Sequence, residues 1–303
     1  MSAIPGVPRV KIKSDEPIGE RAGSRRVDRL LLLAPGMIWL FLLGILPLGL
    51  ILVYSFAQRG TYGGVVLNWN VDNYIRIADP LYLGIFVRSL ILALETTIIC
   101  LVAGYPLAYA IATAPPRHKN LLLLLVVIPF WTNFLIRTYA WIIILRTEGL
   151  LNALLLATGL FREPLSMLYT PGAVLLGFVY NWLPFMVLPI YASIEKINRS
   201  LIEAAMDLGA RGWQILVRVI IPLSLPGIAA GSILIFIPSL AMFAIPDLMG
   251  GARAVYIGNL IKNQFLAARN WPFGSALSIC LVLVMLVSLF LYARVMRREG
   301  TWS

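Results

Sequence analysis

Four charged side chains lie inside apolar runs of this chain: Arg88, Glu95, Arg137 and, near the end of a later run, Asp247. A charge in a low-dielectric setting is costly, so such groups are paired or functional. One reading is a Glu95–Arg137 or Asp247–Arg137 ion pair that locks a helix bundle. The other is a carboxylate lining that attracts cations. Asp247 leads the second reading, because no basic residue is nearer in sequence than Arg253, and Glu95 follows it. Aromatic and amide side chains gather in Phe130-Trp131-Thr132-Asn133-Phe134 and Tyr180-Asn181-Trp182. Aromatic faces combined with carboxylates suit organic ammonium groups. An interfacial aromatic belt is the alternative; it fits Trp141 and Tyr169 better than Trp131, which lies well inside its run. The pathway candidates are therefore Asp247, Glu95, Trp131, Asn133, Phe134, Tyr180 and Trp182, with Arg137 as the structural ion-pair candidate.

A second pattern interrupts the apolar runs between Ser200 and Pro222, in SLIEAAMDLGARGWQILVRVIIP. Ser200 followed three residues later by Glu203 has the spacing of a capping box, in which each side chain satisfies an amide at the helix start. Leu201, Ala204, Ala205 and Leu208 share a helical face. Gly209 suits a helix end, since glycine accepts the left-handed conformation found there. Arg211–Ile221 reads as a second helical piece, and Pro222 restarts the chain into the next apolar run. The expectation is a helix-turn-helix presenting a shallow knob, or else an ordinary well-capped loop.

The elements that position these groups are set by composition. The chain is 60% hydrophobic and 13% charged, too apolar for a soluble globular protein. Continuous apolar stretches of about 20 residues predict transmembrane helices rather than the alternating strands of a barrel. The expected spans are Leu30–Phe56, Ile85–Ala112, Leu121–Leu145, Pro171–Ile194, Leu223–Met249 and Gly274–Met296. In domain terms, 1–29 is a basic tail, 30–56 the first span, 85–296 a core of five spans, 195–222 a loop within it, and 297–303 a second tail. Gly149–Gly159 has the pattern of an interfacial helix too short to span. Prolines 129, 184, 189, 226, 238 and 246 are candidates for kinks and helix breaks near a pathway.

Six spans place both ends of the chain on one side. Lysines and arginines number 16 on that side and 7 on the other. The positive-inside bias makes the first side, with Ser200–Pro222, cytoplasmic. The net charge of +11 is thus the signature of a membrane topology rather than of nucleic-acid binding. Ser24-Arg25-Arg26 resembles the start of a twin-arginine signal, but the apolar segment after it is too long and no small-residue cleavage site closes it. Cys100 and Cys280 lie within apolar runs as small hydrophobes, and the single His118 leaves no metal constellation. The sequence has no GxxxxGK[ST], GxSxG, HExxH or CxxC motif, so any ATP-driven work needs another subunit as motor.

Glu203-Ala204-Ala205, Gly209 after three further residues, and then Val219-Ile220-Ile221-Pro222 resemble the EAA loop of ABC importer membrane subunits. The family pattern ends in I-x-L-P, so Val219 and Ile221 are conservative departures. Gly104-Tyr105-Pro106-Leu107-Ala108, Phe134 to Trp141, Pro184 to Tyr191, Ile245 to Gly251, and Ile257-Gly258-Asn259 with Asn270 before Trp271-Pro272 are similar to spermidine/putrescine importer permeases.

This resemblance implies an all-α transmembrane protein with the six-helix type I ABC importer permease fold. It implies two ATPase subunits, a second homologous permease chain and a periplasmic substrate-binding protein as partners, in a bacterial inner membrane. ATP and magnesium would act in the ATPase, with no cofactor in this chain. Glu203, Ala204, Ala205, Asp207, Leu208, Gly209, Ala210 and Arg211 would form the ATPase-coupling helix. Importers of opines, amino-acid derivatives, other small cations or ferric ion are the near alternatives, and a secondary transporter is a more distant one.

Overall fold

A computed structural model describes residues 33–60, 64–159, 161–251 and 254–299, with side chains described as far as 294. The basic tail 1–29 lies outside the described residues, as do the last four residues of the chain. Two compact units are present, residues 1–50 and residues 51–303. The first unit, from Leu33, is helical, and its side chains are almost all exposed.

Among the described residues, six helical stretches are long and apolar enough to cross a membrane. They are Leu33–Ser55, Pro80–Thr113, Phe134–Ala157, Pro171–Glu195, Gly212–Ala241 and Trp271–Arg294. The third differs from the continuous helix expected over Leu121–Leu145. The chain forms a helix at Pro116–Val127, a 3-10 turn at Ile128–Trp131, and a new helix at Phe134–Leu145. Pro129 lacks an N–H and so removes one helical bond, and the chain leaves the helical conformation at Thr132 and Asn133, where ψ is 145° and 135°. The freed backbone groups are met locally. The Thr132 hydroxyl donates to the Pro129 carbonyl at 2.7 Å, and Asn133 Oδ1 accepts the Leu135 N–H at 2.9 Å. Asn133 thus caps the helix that begins at Phe134, the first residue of span three. Within the segment Gly149–Gly159 a separate short helix forms at Leu150–Ala157.

Span five begins earlier than expected. Its helix starts at Gly212 and runs through Pro222, so the proline does not restart the chain. A wide π turn at Leu216–Ile220 precedes Pro222, and another at Phe41–Ile45 precedes Pro47. In both places the widened turn falls where a proline ring would crowd the preceding carbonyls.

Spans two, four and five interdigitate. Met186 of span four is fully buried, and its side chain lies where a Cβ added at Gly104 would sit 3.2 Å from Cγ, or one at Gly231 2.8 Å from Sδ. Lipid gives helices no hydrophobic reason to associate, so close packing through small residues holds such a bundle together. Cys100, Ala108, Ile111, Val187, Ile190 and Ile235 complete this cluster. A second cluster joins spans two and six through Ile85, Ala93, Phe273 and Leu277.

Candidate functional site

The knob between spans four and five is a helix at Arg199–Asp207. Its N-cap is Asn198, whose Oδ1 accepts the Ser200 N–H at 3.1 Å. This corrects the expected Ser200–Glu203 capping box. Ser200 lies inside the first turn, and Glu203 makes no hydrogen bond among the described residues. Asparagine caps as well as serine does, so the signal at position 198 was present in the sequence. The C-terminal end follows the expectation. Gly209 has φ +79°, its N–H bonds to the Met206 carbonyl at 2.8 Å, and the Ala210 N–H bonds to Ala205 at 3.0 Å. That pair of bonds is the Schellman closure, and Ala205 and Ala210 both pack against the buried cluster. The next helix is held at its start by Gln214, whose Oε1 accepts the Arg211 N–H at 2.7 Å.

Closure at both ends fixes which faces the knob presents. Ile202 and Ala205 turn inward, while Leu201, Glu203, Ala204, Met206, Asp207, Leu208 and Arg211 are exposed. Leu208 is 89% exposed and Trp213 is 61% exposed. Leu208 lies between spans four and five, outside both membrane-length helices, while Trp213 is the second residue of span five; an apolar side chain this exposed outside the spans marks a protein contact. Behind the knob is an open cavity of about 520 Å³ lined by Tyr109, Lys119, Glu195, Ile202, Glu203 and Ile215.

The charged and aromatic groups separate into three sets. In the first, Phe130 contacts Phe185 edge-on at 4.8 Å, Trp182 contacts Phe185 at 5.6 Å, and Trp141 contacts Tyr180 at 5.4 Å. Arg137 stands 5.1 Å from the Phe130 ring centre. Its Nε and Nη1 are buried without a hydrogen-bond partner, as is Trp182 Nε1. No Arg137 ion pair with Glu95 or Asp247 occurs among the described residues, so the expected locking pair is corrected to a guanidinium over the Phe130 ring. Tyr180 and Trp182 belong to this set, and Phe134 is half-buried beside it. Trp131, at the helix break, is 77% exposed and stands apart.

The second set surrounds Tyr256. Arg88 and Glu95 are both exposed on span two, seven residues apart. Burial, and then the Glu95 charge, push the Tyr256 phenol above its ordinary value, while Arg88 acts in the opposite direction.

The third set corrects the reading of Asp247. Span five ends at Ala241, and Asp247 lies on a separate short helix, Ala244–Met249. Its Oδ2 accepts from Lys262 Nζ at 2.5 Å. Asp247 therefore has a basic partner fifteen residues away, one that no helical periodicity in the sequence connects to it.

The sequence profile described as binding-protein-dependent transport system inner membrane component matches residues 24–300. Two relatives carry the name spermidine/putrescine transport system permease protein PotB. The one from Escherichia coli strain K12 is 48% identical over 259 residues, covering 86% of this chain and 94% of that one. The one from Haemophilus influenzae is 44% identical over 256 residues, covering 84% and 90%. A crystal structure of a bacterial alginate ABC transporter, in complex with an alginate pentasaccharide-bound periplasmic protein, includes a chain that superposes with a TM-score of 0.77 at 18% identity. That match covers 93% of this chain and 98% of the other. At such identity the likeness is one of fold.

Proposed function

The chain belongs to the binding-protein-dependent transport system inner membrane components, with the type I ABC importer permease fold, and we propose that it is a polyamine permease, driven through its cytoplasmic knob. Similarity to spermidine/putrescine permeases over most of the chain carries the cargo reading. A putrescine or spermidine cation is a flexible chain of amines, and the carboxylates and aromatic faces described above are groups that recognise ammonium.

The motor lies outside this chain, whose sequence has no phosphate-binding loop. Two ATPase subunits, with their ATP and magnesium, take the knob into a groove. Glu203, Asp207 and Arg211 give the contact its charge, and Leu201, Leu208 and Trp213 give it apolar area. Closure of the ATPases pulls on Arg199–Asp207 as a rigid piece. Because the next helix continues unbroken into span five, that displacement reaches the membrane. A second permease chain completes the pathway, and a periplasmic binding protein delivers the cargo. The basic-residue bias puts both ends of the chain in the cytoplasm.

The test is reconstitution of the complex in vesicles, with uptake of labelled spermidine, putrescine, amino acids and ferric ion compared side by side. ATP-dependent uptake of a polyamine above the others is the expected result. Preferred uptake of an amino acid or of iron would overturn the cargo reading and leave the family assignment in place.

A further inference from the structure

Lys262 makes the contacts that an amine cargo would make. Its ammonium donates to the Asp247 carboxylate and lies 5.6 Å from the centre of the Phe243 ring. A carboxylate and an aromatic face together hold an alkylammonium by charge pairing and cation–π attraction. The lysine side chain is itself a four-carbon chain ending in a primary ammonium. Its outer part therefore has the chemistry of one end of a linear diamine.

The site is held from both sides. Asp247 lies on the short helix Ala244–Met249, and its N–H bonds back to the Phe243 carbonyl at 3.1 Å. This keeps the carboxylate one turn from the ring. Lys262 rides on the helix Ile257–Leu266, whose start is fixed twice. The Ile257 N–H donates to Ser89 Oγ at 2.8 Å, and Asn259 Oδ1 accepts the Tyr256 N–H at 2.7 Å. Beside the pair is an open cavity of about 400 Å³ lined by Phe243, Gly258, Ile261, Lys262, Ser278 and Met285. Lys262 lines this cavity and Asp247 does not, so of the bonded pair it is the lysine that borders the open space. The side chains of Lys262 and Asp247 are 35% and 24% exposed. A pair this open to solvent holds weakly and can exchange partners.

We infer that Asp247 and Phe243 form a binding site for a primary alkylammonium, closed in this conformation by Lys262 as a tethered competitor that an incoming amine displaces. The inference rests on the amine cargo proposed above. A tethered competitor weakens amine binding, and it reseals the site once the amine leaves.

The experiment measures acylation of Lys262 by acetic anhydride, read by mass spectrometry, in the whole transporter complex. Because added amines also consume the anhydride, Lys262 acylation is read as a ratio to that of the exposed Lys196 in the same sample; putrescine or n-butylammonium is expected to raise this ratio severalfold, while sodium chloride at matched ionic strength leaves it unchanged. In the Asp247→Asn complex, Lys262 is acylated readily from the outset and no longer responds to amines. A second measurement, equilibrium binding of labelled putrescine to the complex without its binding protein, is expected to tighten roughly tenfold in Lys262→Met, since tethered groups compete at millimolar effective concentrations. Lys262 acylation indifferent to both amines would overturn the inference, as would unaltered putrescine binding in a well-assembled Lys262→Met complex. If butylammonium alters the labelling but the wild-type complex imports no polyamine, the site stands and the cargo reading falls.

Discussion

The Lys119 ammonium contacts both carboxylate oxygens of Glu195, at 2.9 and 2.8 Å. This joins the start of the helix Pro116–Val127 to the last residue of span four, just ahead of the knob. The pair lines the cavity beneath Arg199–Asp207. The Lys119 side chain is 15% exposed and that of Glu195 44%. At that exposure solvent screens much of the attraction, and such pairs contribute about 0–1 kcal/mol. Lys119→Met should therefore leave the thermal stability of the complex within about 1 kcal/mol of wild type, as measured by unfolding in detergent. A larger loss would show that the pair is a structural anchor.

Asn198, not Ser200, caps the knob. Asn198→Ala should destabilise Arg199–Asp207 by about 1 kcal/mol, and Ser200→Ala by much less. Hydrogen exchange across residues 199–207 distinguishes them, with faster exchange expected only in the first variant. Equal effects would restore Ser200 as the cap.

Because Glu203 makes no capping bond, its substitution tests partner contact rather than helix integrity. Glu203→Gln should retain the helix and weaken ATPase co-purification moderately, and Glu203→Lys should abolish it. Leu208→Asp should likewise lose the ATPase while leaving the permease folded. Full retention of the ATPase in both Glu203→Lys and Leu208→Asp would remove the knob from the contact.

Gly209 has open space around an added Cβ but a positive φ. Gly209→Ala should thus cost roughly 1 kcal/mol through backbone strain alone, and Gly209→Asn less, since asparagine tolerates this conformation better. Thermal unfolding of the two variants gives the order. An alanine variant as stable as wild type would mean that the turn rearranges.

Arg137 sets two effects against each other. Its stacking on Phe130 contributes about 0.5–1 kcal/mol, while buried donors without acceptors cost about 1–3 kcal/mol. The second is larger, so Arg137→Met should stabilise the isolated chain by about 1 kcal/mol, read from its unfolding midpoint. Destabilisation would mean that the guanidinium finds an acceptor in solution.

The sequence by itself determined the parts of this protein that depend on local order along the chain. Apolar length set the spans, and the bias in basic residues set their expected orientation. The glycine at position 209 and the EAA spacing marked the knob, because helix closure resides within about twenty consecutive residues. Even there, choosing between Asn198 and Ser200 needed the structure, since both residue types cap and only the backbone shows where the helix begins. Pro129 signalled a possible break, but the sequence did not show that Thr132 and Asn133 repair it.

The tertiary structure decided the pairing of charges. Asp247 and Arg137 looked like partners because both interrupt apolar runs, yet Asp247 meets Lys262 and Arg137 meets aromatic rings. A salt bridge forms between side chains that folding brings within about 4 Å, and the segment that carries Lys262 back past the end of span five leaves no periodic trace in the sequence. The amine-like occupant of the Asp247 site could therefore be seen only once the chain had folded.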